Sequence, residues 1–205
     1  LDPGDPVRHF ILPAFLLISA AASARDFADP FERDGDGNGL PDGWTVIADA
    51  AGTGGRMALG AGRDGQGLAL WAPAGATLSV ETRLSGRLDL ANDYVLAGAA
   101  RVQGPAGSEA WLTVQFVDEK GDTLGAPFVT PRAGPGEWTA LALPVSLIDS
   151  RTRSLAIRAV LAAGGGGEAT AAFDDVSWVA KTFVDGFEAD LDKDDFPDRW
   201  RSMKG

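Results

Sequence analysis

Residues 27–44, FADPFERDGDGNGLPDGW, return without a gap as residues 183–200, FVDGFEADLDKDDFPDRW. Nine positions are identical: Phe27/Phe183, Asp29/Asp185, Phe31/Phe187, Glu32/Glu188, Asp34/Asp190, Asp36/Asp192, Pro41/Pro197, Asp42/Asp198 and Trp44/Trp200. From Phe27 to Phe183 the offset is 156 residues, the length of an ordinary domain. The simplest reading is that each copy opens a domain. Residues 25–180 are then one complete domain, and 181–205 the truncated start of a second, similar one. The alternative is that the second copy closes the first domain by packing against the opening copy.

Between the copies the pattern is all-β. In LTVQFVD, Leu112, Val114 and Phe116 share one face, and Trp111, Thr113 and Gln115 share the other. In YVLAGAARVQ, Tyr94, Leu96, Ala100 and Val102 face one way and Arg101 and Gln103 the other. LAIRAVLA turns Leu155, Ile157, Ala159 and Leu161 inward and Arg158 outward. Shorter strands are expected at 67–71, 77–81, 139–143 and 171–178, with turns at EKGD, GPGE and AGGGGE. Half-buried strands at this spacing predict an antiparallel β-sandwich.

The N-terminus carries a different signal. VRHFILPAFLLISAAASA has a basic start, a short apolar run and an Ala22-Ser23-Ala24 exit. That is the form of a secretory signal peptide over residues 1–24, with Leu1–Pro6 a possible mis-assigned start. The apolar run is too short to span a bilayer. The expected location is therefore secreted or on the cell surface, with no membrane contact after cleavage. The one histidine, His9, lies in this segment, and the chain has no cysteine. Downstream of Ala24, catalytic triads, histidine zinc sites and thiol nucleophiles are excluded. The net charge of -11 argues against nucleic acid, whose phosphates call for Lys and Arg.

In order along the chain stand GLPDGW, GQGLAL, YVLAGAARV, LTVQFVDEKGDTL, GEWTALALPV, SLAIRAVL and AAFDDVSW. This series resembles the β-jelly-roll carbohydrate-binding modules of bacterial secreted enzymes, in the galactose-binding-like superfamily. The resemblance covers residues 27–178, and FDDVSW after a Gly-rich loop is its most specific part. It implies a jelly-roll topology and a sugar ligand. It also implies a structural calcium joining the first strand to the final DDV strand, with Glu32 and Asp174 or Asp175 among its ligands.

The acidic loop has its own metal chemistry. Asp34, Asp36 and Asn38 alternate before Gly39, with Asp42 following, which is the D-x-D-x-[DN]-G start of a calcium loop. Hard oxygen ligands converge on one ion, and glycine permits the sharp turn. The twelfth position, a bidentate Glu in an EF-hand, is Thr45. The missing ligand then need not be local, and the question is whether Asp174 or Asp175 supplies it. The plainer reading is a solvated Asp/Gly turn anchored by Pro41 and Trp44.

Sugars present flat C–H faces to aromatic rings and hydroxyls to polar side chains. The outward phases of Trp111, Gln115, Arg101 and Arg158 make these the candidate ligand residues, with Trp71 a second aromatic. The same residues also suit simple cover over a sheet. Trp44, Trp138 and Tyr94 are expected to anchor the core. Nothing in the sequence forms a nucleophile–base constellation. The expected function is a non-catalytic module that tethers a larger protein, through its further domains, to a polysaccharide or glycan. The alternatives are an adhesive or structural surface repeat, or the accessory domain of a polysaccharide-degrading enzyme.

Overall fold

The computed structural model describes residues 27–29, 31–47, 54–86, 88, 92–146 and 148–181. The segment expected to be a signal peptide and the second copy of the repeat lie outside the described residues.

Eleven strands make up the fold: β1 (Phe27–Asp29), β2 (Trp44–Val46), β3 (Arg56–Ala61), β4 (Gln66–Ala72), β5 (Thr77–Ser85), β6 (Tyr94–Gln103), β7 (Glu109–Val117), β8 (Thr123–Val129), β9 (Thr139–Val145), β10 (Ser154–Ala162) and β11 (Ala169–Ala180). One sheet runs β3-β4-β11-β6-β9, with β1 also paired to β11; the other runs β2-β5-β10-β7-β8. Every strand pairing is antiparallel. Only β3–β4 and β7–β8 are hairpins within one sheet, and every other connection crosses to the opposite sheet. The result is the all-β antiparallel sandwich that the strand phases predict, with the jelly-roll topology that the resemblance implies.

The core lies between the sheets and follows the period-two faces. Leu68, Leu70, Tyr94, Leu96, Leu141, Phe173 and Trp178 come from one sheet, and Leu78, Val80, Leu112, Val114, Phe116, Leu155 and Ile157 from the other. Each fully buried large side chain contributes about 1.5–3 kcal/mol. Tyr94 and Trp178 stack at 4.9 Å and 8°, and Phe116 meets the indole edge-on at 6.1 Å. Trp44 and Tyr94 are core anchors, at 4% and 2% exposure.

One irregularity positions a carboxylate. Phe173 and Val176 are both fully buried, three residues apart, which a regular strand does not allow. A β-bulge between Asp174 and Ser177 absorbs the extra residue, with Asp175 at φ 52°. Asp tolerates that left-handed conformation better than a branched residue would. Asp174 is consequently buried and Asp175 exposed.

Candidate functional site

The opening loop begins with a clasp. Asp29 Oδ1 accepts from the Phe31 backbone N–H at 2.8 Å, and Asp29 Oδ2 from Trp44 Nε1 at 2.7 Å. Phe31 sits at φ 58° and is fully buried, its ring 5.5 Å from that of Trp44. One carboxylate thus holds a strained backbone turn and orients an indole. Asp29, Phe31 and Trp44 are all identical positions of the repeat.

The acidic loop follows. Asp34, Asp36 and Asp42 each bring a carboxylate oxygen within 4.8 Å of the others. Backbone donors orient them: Asn38 N–H and Gly39 N–H donate to Asp34, Asn38 N–H also to Asp36, and Gly35 N–H to Asp42. Asn38 donates its amide to Asp36 and accepts from Leu40 N–H. Among the described residues no cation pairs with this group.

Glu32 and Asp174 meet elsewhere, at the β3–β4 turn. Glu32 Oε1 accepts from Gln66 N–H, and Asp174 Oδ2 accepts from Arg63 N–H at 2.7 Å and Asp64 N–H at 3.3 Å. Glycine at 65 is required there: at φ 96° an added Cβ would collide with the Glu32 carboxylate. Glu32 and Asp174, both implied as ligands by the resemblance, thus meet at one turn, apart from the acidic-loop group. The bulge turns Asp174 to the β3–β4 turn, and neither it, Glu32 nor the exposed Asp175 belongs to the three-carboxylate group.

The candidate ligand residues divide between two faces. Trp111, Gln115 and Arg158 point outward from the five-stranded sheet, whereas Arg101 and Trp71 lie on the outer face of the other. A single cluster is therefore corrected to two. Strand phase decides inside from outside, but the crossovers decide the sheet.

On the five-stranded sheet the rows are legible from the register. Val129, Thr113, Arg158, Glu81 and Thr45 form one row; Trp111, Val160 and Ser79 form the next. Trp111 and Arg158 are diagonal neighbours, about 7–8 Å apart at the backbone. Glu81 is buried at the base of this face and accepts from Arg83 Nε at 2.6 Å and Arg158 Nε at 2.8 Å. Both guanidiniums keep their terminal nitrogens free of protein partners among the described residues. Trp111 is half-buried, with Arg132 stacked on its ring at 4.3 Å and tied to Glu109. Gln115 is withdrawn from any ligand: its amide donates to the carbonyls of Phe116, Leu124 and Gly125, pinning the irregular β7–β8 pairing.

Burial opposes the charge on Glu81, but hydrogen bonds and attraction from Arg83 and Arg158 outweigh it and hold its carboxyl below the usual glutamate range. A depressed folded-state pKa contributes stability that is present above the unfolded pKa and is lost as pH falls through the folded value. Melting should therefore show a loss of stability as pH falls through and below the ordinary glutamate range that Glu81→Gln removes. An acid limb unchanged in that variant would show that Glu81 does not titrate as described.

The outer face of the six-stranded sheet carries two arginine–indole pairs. Arg56 lies over Trp71 at 5.1 Å, and Arg101 over Trp138 at 5.3 Å. Trp138 is thus corrected from core anchor to outer-face residue: it stands just before β9, beside the outward Arg101. Trp178, by contrast, is core.

The fold can be compared with known proteins. No family model matches the chain, and no curated protein does. Solved structures do. The C-terminal family 22 carbohydrate-binding module of Clostridium thermocellum Xyn10B aligns with a TM-score of 0.53 and 17% identity, over 80% of this chain and 98% of that one. The fold is a β-jelly-roll. A xylan-binding family 22 domain from Paenibacillus barcinonensis Xyn10C gives 0.51 and 16%, over 78% and 97%. A Clostridium thermocellum structure joining such a module to a xylanase module, complexed with xylohexaose, gives 0.53 and 17%; here 75% of this chain spans 28% of that one.

Proposed function

We propose that this domain is a secreted, non-catalytic polysaccharide-binding module, and that its ligand lies on the outer face of the five-stranded sheet. The observation that carries this is the Glu81 anchor. It holds Arg83 and Arg158 through Nε and leaves their terminal nitrogens as donors on this face, those of Arg158 next to the Trp111 row. Sugar hydroxyls accept from such donors while the C–H face of the ring stacks on indole. The solved structures that share the fold include domains described as xylan-binding, which supports a neutral β-linked chain as ligand. The repeat supports a tandem arrangement within a longer chain, because the second copy keeps Asp185, Phe187 and Trp200, the counterparts of the clasp. Electrophoresis through gels containing xylan and other neutral polysaccharides tests the reading, with retardation in at least one of them expected. Free migration in all of them would favour the adhesive or structural repeat.

Calcium belongs to the same proposal. The all-oxygen set of Asp34, Asp36 and Asp42 suits a hard cation, and backbone N–H groups already hold the carboxylates against their mutual repulsion. Bound there, the ion would neutralise that repulsion and fix the loop beside the clasp. A ligand at a hundredfold excess over its Kd raises stability by about 2.7 kcal/mol. Melting should drop when chelator replaces calcium, and Asp34→Ala should abolish the difference. An unchanged melting temperature would remove the metal from the account.

A further inference from the structure

We infer that the outer face of the six-stranded sheet is a second carbohydrate site, selective for uronate-bearing chains. The floor is built of the smallest residues: Ala69 and Ala172 are paired on β4 and β11, with Gly60 of β3 diagonal to Ala69. The packing there is close, since a Cβ on Gly60 would come within 2.9 Å of the Ala69 Cβ. Above the floor is an open groove of about 240 Å³, walled by Trp71, Arg101, Gln103 and Thr170. Trp71, Thr170 and Gln103 form one row across β4, β11 and β6, so the aromatic and the far polar wall stand two strand spacings, roughly 10 Å, apart.

Charge selects the ligand class. The chain as a whole is acidic, at -11, yet this groove is lined by a cation, Arg101, with Arg56 nearby over the Trp71 ring. Arg101 has no ion-pair partner among the described residues and is braced by the Trp138 ring. Arg56 has only a 3.9 Å contact with Glu168, both side chains well exposed, which is worth little. A planar guanidinium held on an indole matches a carboxylate in two-point geometry. A flat C–H face can lie on Trp71 and the alanine floor, while Gln103 and Thr170 reach hydroxyls. The Trp111 face differs in this respect, because Arg83 and Arg158 are both already held by one carboxylate, Glu81. The two sites are therefore independent, and the second does not rest on the first.

The test is electrophoresis through polygalacturonate and alginate, each beside its carboxyl-reduced counterpart, at low and high salt. We expect retardation in at least one acidic polymer, weakened by salt and lost after reduction. Arg101→Ala should lose it at least tenfold. Ala172→Leu, which fills the groove without removing a contact group, should do the same while melting like the parent. Trp111→Ala should leave it intact. Free migration in both acidic gels would overturn the inference. So would equal retention on reduced polymers, an unaffected Arg101→Ala, or a loss caused by Trp111→Ala instead. Neutral-polysaccharide binding that fails while uronate binding persists would sink only the five-stranded face.

Discussion

Replacing Trp178 by alanine should lower the unfolding free energy by about 3–5 kcal/mol, the cost of a large aromatic removed from a packed core. Trp178 is 1% exposed, stacked on Tyr94 and edged by Phe116, so three rings lose their mutual packing. In a domain of this size the melting temperature should fall by roughly 10 °C. Trp178→Phe should cost far less, about 1–2 kcal/mol, because the indole N–H is buried without a hydrogen-bond partner and contributes nothing that phenylalanine lacks. Urea denaturation of both variants checks this. Equal losses in the two would mean that the nitrogen is satisfied after all.

The second large effect is expected at Asp29. Its two oxygens hold the Phe31 turn and the Trp44 indole. Hydrogen bonds to a charged group are worth about 1.5–3 kcal/mol each, and Asp29→Ala also leaves the nearly buried indole N–H unpaired. We expect a loss of about 3 kcal/mol by the same denaturation measurement. Asp29→Asn should recover part of it, since its carbonyl oxygen can accept one of the two bonds. A near-neutral Asp29→Ala would separate the clasp from stability. It would also weaken the reading of Asp185, Phe187 and Trp200 as the clasp of a second domain.

Much of the fold was legible because alternation is a property of each strand alone. The inward residues of β6, β7 and β10 follow directly from period two. Strands β1 and β2 have three residues each, too few for a period to register. The β3 segment, RMALGA, has no fully buried residue, and β8 carries Gly125 and Pro127 at an irregular pairing on a sheet edge.

The site was legible only in part, for a related reason. Outward phase identifies Trp111, Arg158, Arg101 and Trp71 equally well, but a jelly roll sends consecutive strands to opposite sheets. Arg101 and Arg158 therefore finish on opposite sides of the domain. Outward phase also says nothing of what a side chain does once there. Gln115 is outward yet spends its amide on backbone carbonyls. Glu81 had no local signal, and its importance comes from Arg158 on β10, 77 residues away in sequence. The adjacent Asp174 and Asp175 are chemically identical in sequence; the bulge alone buries one and exposes the other.

The most direct measurement of the account is calorimetric titration of xylohexaose into the parent protein and its Trp111→Ala and Arg158→Ala variants, each first shown to melt normally. Removing a central aromatic anchor from a binding face costs about 2 kcal/mol, roughly a thirtyfold loss of affinity. The account predicts binding by the parent, a loss of that size in Trp111→Ala and a loss in Arg158→Ala, with Trp71→Ala unaffected. Unchanged affinity in Trp111→Ala, or a loss confined to Trp71→Ala, would contradict the assignment of the neutral sugar site to the five-stranded sheet.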